Sequence, residues 1–353
     1  MNITNLRLFK SYLQPMRRPQ KFRTEINTYM KKKKNHLLPI ITIAMMITII
    51  SNAQWSELGG ANKSTFNGDI YSVATDVFGN TFAAGGFTNS NGKRYVAKWD
   101  GKIWSELGGS NTSTFGDAIL SIASDSNGNV FVAGSFKNGN GKCYVAKWNG
   151  STWSELGGSN ASTFNNAFED IKIDNKGNLY GTGSFTNQNG MYYVAKWNGK
   201  AWADIGGTNS SDASKRIVFI CADLNGNIYG GGGFTNAIGK YFVAKLDGNA
   251  WNILGGNTSS FNGASGGIAA DAAGNIYATG WFTNLNGNNY VAKWNGSNWS
   301  EVGNTNSTTF GGGIPRNVIS TSNGTLYVSG YKSISKWDGV NWSNLGNSNY
   351  FNN

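Results

Sequence analysis

The sequence predicts an all-β fold, a six-bladed β-propeller of four-stranded antiparallel blades, and three observations point there. Tryptophans recur at a near-constant spacing, a D-x-x-G-N motif recurs in step with them, and a W-[DN]-G motif recurs between successive pairs. Trp55, Trp104, Trp153, Trp202 and Trp251 stand 49 residues apart, Trp299 follows after 48 and Trp342 after 43. Self-similarity at a period of about 40–50 residues marks propeller blades, each a sheet that cannot bury its faces alone.

Within residues 66–107 four strand-like runs are expected, a from Ile70 to Asp76, b from Thr81 to Phe87, c from Arg94 to Trp99 and d from Ile103 to Leu107. Runs a and b are joined by D-x-x-G-N, as in Asp76…Gly79-Asn80 and Asp125…Gly128-Asn129. The carboxylate can close such a turn and the glycine supplies positive φ, so these aspartates read as turn-formers rather than ligands or catalytic acids. Runs c and d are joined by Asp-Gly or Asn-Gly (Asp100-Gly101, Asn149-Gly150, Asn198-Gly199), a strong short-range hairpin signal. A two-residue loop there pairs Trp99 with Lys102 and Ala97 with Trp104. Small residues in run b, such as Ala83-Ala84-Gly85, suit close approach of blades near an axis, and the tryptophans of c and d suit the wider outer gap.

Counted from Trp to Trp, the units are 55–103, 104–152, 153–201, 202–250, 251–298 and 299–341, with a closing strand 342–347, all in one domain 54–353. Runs a, b and c each occur six times, whereas the Trp strand occurs seven times, so Trp55–Gly60 and Trp342–Gly346 compete to complete the sixth blade and close the ring. The last unit is atypical: Thr321 replaces the turn aspartate, and the b–c loop shrinks between Tyr331 and Ile334.

The net charge of +11 suggests nucleic acid until the charge is located. Residues 1–53 hold ten Lys/Arg against the single acid Glu25, leaving 20 Lys/Arg and 18 Asp/Glu for residues 54–353. A polyphosphate partner needs a contiguous cationic face, and the repeats offer nothing larger than Lys93-Arg94 or Lys215-Arg216. No nucleic-acid partner is expected. Lys31 to Lys34, the apolar run Leu37 to Ile50 and Ser51-Asn52-Ala53 read as a signal peptide over residues 30–53. The apolar run is short for a membrane span, no Cys follows it for a lipid anchor, and residues 1–29 read as an extension mis-called upstream of a true start at Met30. The expectation is therefore a secreted, periplasmic or cell-surface bacterial protein with no span after cleavage, and a monomer. Cys143 and Cys221 fall in different columns of non-adjacent repeats and are expected as buried free thiols.

The runs GNVFVAGSF (Gly128–Phe136) and YVAKWNGSTWSELG (Tyr144–Gly157) resemble bacterial secreted β-propeller repeats of the SBBP and NHL type, and the resemblance covers residues 55–347. It implies the propeller fold and says little of function, because such scaffolds serve many roles. The Trp-rich strand d departs from the usual SBBP pattern.

His36, the only histidine, lies in the leader. The repeats thus hold no Ser-His-Asp triad, Cys-His pair or His-ligated metal, and histidine-dependent propeller enzymes of the galactose-oxidase-like and streptogramin-lyase-like kinds are excluded. No calcium-loop motif occurs. No enzyme activity, cofactor or metal is expected. A carboxylate-only glycosidase or lyase is the residual alternative, and it would draw on the acids that break the repeat, Asp69, Asp117, Glu169, Asp170 and Asp212.

Short a–b and c–d turns mark one rim of the ring, and longer d–a and b–c loops mark the other. Function on repeat scaffolds sits in such loops. They carry Phe66, Phe115, Phe164, Phe261 and Phe310, with Asn89, Asn138, Asn187, Asn236 and Asn284. Amides near aromatic rings suit a sugar. They equally suit ordinary turns with each Phe buried under its loop. An N-x-[ST] column (Asn62, Asn111, Asn160, Asn209, Asn257, Asn306) reads as turn chemistry in a bacterial chain. The expected function is a non-enzymatic binding or interaction propeller for a glycan or protein ligand. A structural or assembly module of the cell surface, with no small ligand, is the other reading.

Overall fold

The computed structural model describes Leu58 and residues 66–345, apart from 208–211, 249, 257–260, 306–308 and 331–332. The leader and residues 1–29 lie outside these, as do the Trp55 strand other than Leu58 and the turn residues Asn62, Asn209, Asn257 and Asn306. The chain forms six four-stranded antiparallel sheets, each ordered as in the sequence. Blade 1 comprises β1 (Ile70–Thr75), β2 (Thr81–Gly85), β3 (Ala97–Trp99) and β4 (Trp104–Glu106). Blades 2 to 6 begin with β5 (Ile119–Ser124), β9 (Phe168–Ile173), β13 (Ile217–Ala222), β17 (Ser265–Ala270) and β21 (Asn317–Ser320). They end with β8 (Trp153–Glu155), β12 (Trp202–Asp204), β16 (Ala250–Ile253), β20 (Trp299–Glu301) and β24 (Trp342–Leu345). The molecule is a six-bladed, all-β propeller whose one described helix is the three-residue 3₁₀ turn Ala213–Lys215. Among the described residues no helix is long and apolar enough to cross a membrane.

The a–b turns are closed as their chemistry dictates. Asp76 Oδ1 accepts from the amides of Phe78 and Asn80, and Oδ2 accepts from the Asn80 amide group. Gly79 sits at φ 85°. Asp125, Asp174, Asp223 and Asp271 repeat the arrangement. In blades 3 to 5 a tyrosine hydroxyl (Tyr180, Tyr229, Tyr277) also donates to the turn aspartate. Burial first, and then that carboxylate, hold these phenols well above their ordinary range.

The c–d hairpin corrects the expected register. Trp99 pairs with Trp104 and Ala97 with Glu106, so the connection spans Asp100 to Ile103 rather than two residues. The Asp100 side chain accepts from the amides of Lys102 and Ile103, which stabilises the longer turn. The two indoles thereby stand directly opposite, 5.6 Å between centroids, and the same pair recurs in blades 2, 3, 5 and 6.

Strand a of blades 1 to 5 carries a bulge opposite a glycine of strand b. That residue is glycine for a steric reason: a Cβ on Gly85, Gly134 or Gly183 would lie 2.0–2.1 Å from the carbonyl oxygen of Asp69, Ala118 or Ala167, the residue just before strand a.

Each successive pair of blades, from 1–2 to 5–6, shares a cluster of buried apolar side chains. Leu107 after strand d packs on Phe115, Ile119 and Ile122 of the next blade. Blade 1's opposite face differs. Ile70 and Val73 are 46% and 55% exposed, whereas their blade 2 counterparts Ile119 and Ile122 are 0% and 5% exposed. The sixth sheet is completed by the C-terminal Trp strand, with Trp342 opposite Trp337. Cys143 and Cys221 are buried and free, and burial raises the titration of both thiols.

Candidate functional site

The b–c loop folds on its asparagine. The Oδ1 atom of Asn89 accepts from the amides of Asn91 and Lys93, and Asn138, Asn187, Asn236 and Asn284 do the same in their blades. The Asn89 amide group donates to Glu106 of strand d at 3.2 Å. Asn138 meets Glu155, Asn187 meets Asp204 and Asn284 meets Glu301 in the same way. The carboxylate then collects the loop that leads to the next blade: Glu106 accepts from the amides of Asn111 and Ser113, Glu155 from those of Asn160 and Ser162. Asn111 and Asn160 take φ of 62° and 58° there, which gives that part of the N-x-[ST] column a turn role. The asparagine and glutamate columns therefore fix the shape of the long-loop rim.

The structure takes the phenylalanines away from the ligand-facing surface the sequence suggested for them. Phe115, Phe164, Phe261 and Phe310 are buried and Phe66 half-buried. Each meets the strand d tryptophan of its own blade edge-on, at 5.1–5.3 Å between centroids. The carbonyls of Phe115, Phe164 and Phe261 also accept from strand c or the b–c loop of the preceding blade. A ring so enclosed has no free face for a sugar, and its column is core.

On this rim blade 5 carries a cleft of about 340 Å³, lined by Asn262, Thr283, Asn284, Tyr290, Trp299 and Glu301 together with Leu285, Ala292 and Ser300. Asn262 and Thr283 hold its mouth through two hydrogen bonds, Asn262 Nδ2 to Thr283 Oγ1 at 2.9 Å and Thr283 N to Asn262 Oδ1 at 2.8 Å. Burial, and then Glu301, push the Tyr290 phenol up to about 12, so it is a neutral hydroxyl near pH 7. The cleft offers amide, hydroxyl and carboxylate groups beside two aromatic rings, and its size lies at the lower end of small-ligand sites. Of the residues singled out in the sequence, Asn284 lines it directly. The Asn–Thr pair at its mouth went unnoticed, although the pattern was visible as Phe-Asn in the d–a loop and Thr-Asn in the b–c loop of the same unit.

The acids that break the repeat do not assemble an acid–base pair. Asp69 and Asp117 are exposed on blades 1 and 2, and Asp212 caps the 3₁₀ turn. Glu169 receives Arg216 Nη2 and the Ser184 hydroxyl on one oxygen, both at 2.6 Å. Asp170 is buried. One of its oxygens accepts from Ser121 of blade 2 at 3.2 Å and pairs with Lys172 at 2.5 Å, and the other accepts from the Ile220 amide of blade 4 at 3.1 Å. Both carboxylates tie blades together.

No protein-family model matches this sequence, and none of the curated proteins is detectably similar to it. Among solved structures, the virginiamycin B lyase from Staphylococcus aureus superposes with a TM-score of 0.53 at 10% identity, covering 78% of this chain and 83% of that one. A streptogramin B lyase gives 0.50 at 12%, covering 79% and 83%. YCF48 bound to D1 peptide gives 0.52 at 10%, covering 80% and 82%. At such identities the likeness is one of fold, and what it shows is that this chain is a β-propeller of a kind found alike among lyases and in a peptide-bound protein.

Proposed function

We propose that this chain is a secreted, cell-surface binding propeller that holds neutral glycans at its long-loop rim and performs no chemistry of its own. The blade 5 cleft carries the reading. Trp299 and Tyr290 provide apolar flanks for the carbon face of a sugar ring, while the Thr283 hydroxyl and the Glu301 carboxylate provide groups for its hydroxyls and Asn284 holds the loop behind them. Against catalysis, the propeller lacks histidine, and Glu169 and Asp170 are committed to ties within and between blades. The fold likeness to YCF48 bound to D1 peptide favours a protein ligand as the second reading.

A glycan array probed with the full chain tests the proposal, alongside pull-downs on purified cell-wall polysaccharides. Binding of neutral oligosaccharides that falls in Thr283→Lys, a change at the cleft mouth that spares the packed Trp299, supports it. An array without signal, together with a pull-down that retains one stable protein partner, replaces it with the protein reading.

A further inference from the structure

The six blades are alike in fold but not in what they place at this cleft. Blade 5 has the Asn262–Thr283 pair at the mouth, the Asn284–Glu301 pair behind it, and Tyr290 and Trp299 on the walls. Blade 3 repeats the set: Asn165 and Thr186 make the same two hydrogen bonds, at 2.9 and 3.0 Å, Asn187 meets Asp204 at 3.0 Å, and Tyr193 and Trp202 take the ring positions. In blade 1 Asn67 and Thr88 are joined at 3.0 and 2.7 Å, Asn89 meets Glu106, and Tyr95 and Trp104 follow. Burial raises the phenols of Tyr95 and Tyr193, as it does that of Tyr290 in blade 5, and the nearby carboxylate adds to the effect.

The other three blades each break the set. Blade 2 keeps Asn138, Glu155, Tyr144 and Trp153, but Gly116 and Lys137 replace the mouth pair. Blade 4 has Phe242 in place of the tyrosine and Ile253 in place of the carboxylate, and its d–a connection turns through Ala213–Lys215. Blade 6 has Gly311 after Phe310, Ser333 at the tyrosine position and Asn344 at the carboxylate position, behind a shortened b–c loop.

We infer that the chain is trivalent: blades 1, 3 and 5 each take one neutral sugar unit and blades 2, 4 and 6 take none. This rests on the glycan reading above and adds the number and location of the sites. The complete set alternates with the incomplete one along the chain, falling in every second blade. Three weak sites so placed suit a branched or densely displayed glycan, on which simultaneous engagement multiplies affinity by effective concentration, and not a single linear chain crossing one cleft. The carboxylate present in all three blades disfavours anionic sugars.

The test is calorimetric titration of the full chain with cellotriose, maltotriose and chitotriose, reading stoichiometry. Three molecules bound per chain is the expected result for whichever trisaccharide binds. Thr88→Lys, Thr186→Lys and Thr283→Lys each import the residue blade 2 carries natively at that position, so the fold accommodates the side chain. Each is expected to lower the stoichiometry from three to two, and the triple variant to abolish binding. The converse variant, Gly116→Asn with Lys137→Thr, completes blade 2 and raises the stoichiometry to four. Sugar binding that survives the triple variant, or a stoichiometry of one or six in the parent chain, overturns the trivalent assignment while leaving the glycan reading standing. No binding of any trisaccharide overturns both.

Discussion

Among the described residues Asp170 is the one acid whose side chain joins three blades, and its removal gives the sharpest test of how the blades are held together. In Asp170→Ala the Ile220 amide of blade 4 and the Ser121 hydroxyl of blade 2 lose their acceptor in a buried setting. A buried donor left unpaired costs about 1–3 kcal/mol, so two cost about 2–6 kcal/mol. The Lys172 contact adds little, because that side chain is 44% exposed and water screens the pair. Asp170→Asn keeps one carbonyl oxygen for at most one of the two donors, and about half the loss is expected. The measurement is urea unfolding of both variants at pH 7 beside Asp117→Ala, an exposed acid whose loss should stay within about 0.5 kcal/mol. An Asp170→Ala protein as stable as Asp117→Ala would refute the inter-blade role and return Asp170 to the pool of candidate catalytic acids.

Further outcomes follow from the same geometry. Ile119→Ala and Ile70→Ala delete identical atoms at equivalent positions of adjacent blades. The first should cost about 2–5 kcal/mol as a buried truncation and the second no more than about 0.5 kcal/mol, by the same urea assay. Trp342 Nε1 donates to the Val302 carbonyl at 2.8 Å, whereas Trp251 Nε1 is buried without a partner. Trp342→Phe should therefore destabilise by about 1 kcal/mol more than Trp251→Phe. Burial and a nearby carboxylate push the phenols of Tyr193 and Tyr290 up to about 12 in the folded chain. Unfolded tyrosines ionise near the ordinary value of about 10, so the folded state binds more protons between about pH 10 and 12. Stability is then unaffected by these groups below that window and falls through it. Tyr193→Phe and Tyr290→Phe should accordingly lose less stability than the parent between about pH 10 and 12, and unchanged pH profiles of urea unfolding would contradict the buried phenols. Cys221, buried with its thiol pushed up, should react with a thiol reagent at the rate of global unfolding rather than as an accessible thiol.

The fold was legible because a repeated sheet writes its chemistry six times. The turn aspartates, the paired tryptophans and the strand order all surface as columns, and a column is visible without coordinates. The c–d register was not, because Asp100 and Asn149 use their side chains to hold a four-residue connection where their backbone preferences alone suggest two. The phenylalanines were placed on the right loops, with exposure to a ligand and burial under the loop both left open, and four of the five are buried. Whether an aromatic in a loop faces water or the blade beneath depends on the neighbouring blade's strand c, which the local sequence does not contain. Conversely, the tie between Asn67 and Thr88 spans 21 residues and two loops, so it becomes a pair only when the blade has folded.

A symmetric scaffold places a particular constraint on where specificity resides. Residues present in most blades, such as the turn aspartates, the b–c asparagines and the strand d tryptophans, are occupied in forming the blade and cannot be altered for a ligand without loss of the sheet. Selectivity must come from positions that differ between blades while leaving the hydrogen-bonded frame intact. Two kinds of departure are present. Glu169, Asp170 and Arg216 concentrate charge between blades 3 and 4, where it is paired and spent on assembly. The exchanges Asn67 to Gly116, Thr88 to Lys137, Tyr290 to Phe242 and Glu301 to Ile253 lie instead at the open mouths and walls of the clefts, and of these the glutamate also holds a following loop. On the trivalent reading proposed above, changes that spare the frame but alter the cleft set the valency, so that reading stands or falls on the departures from the repeat rather than on the repeat itself.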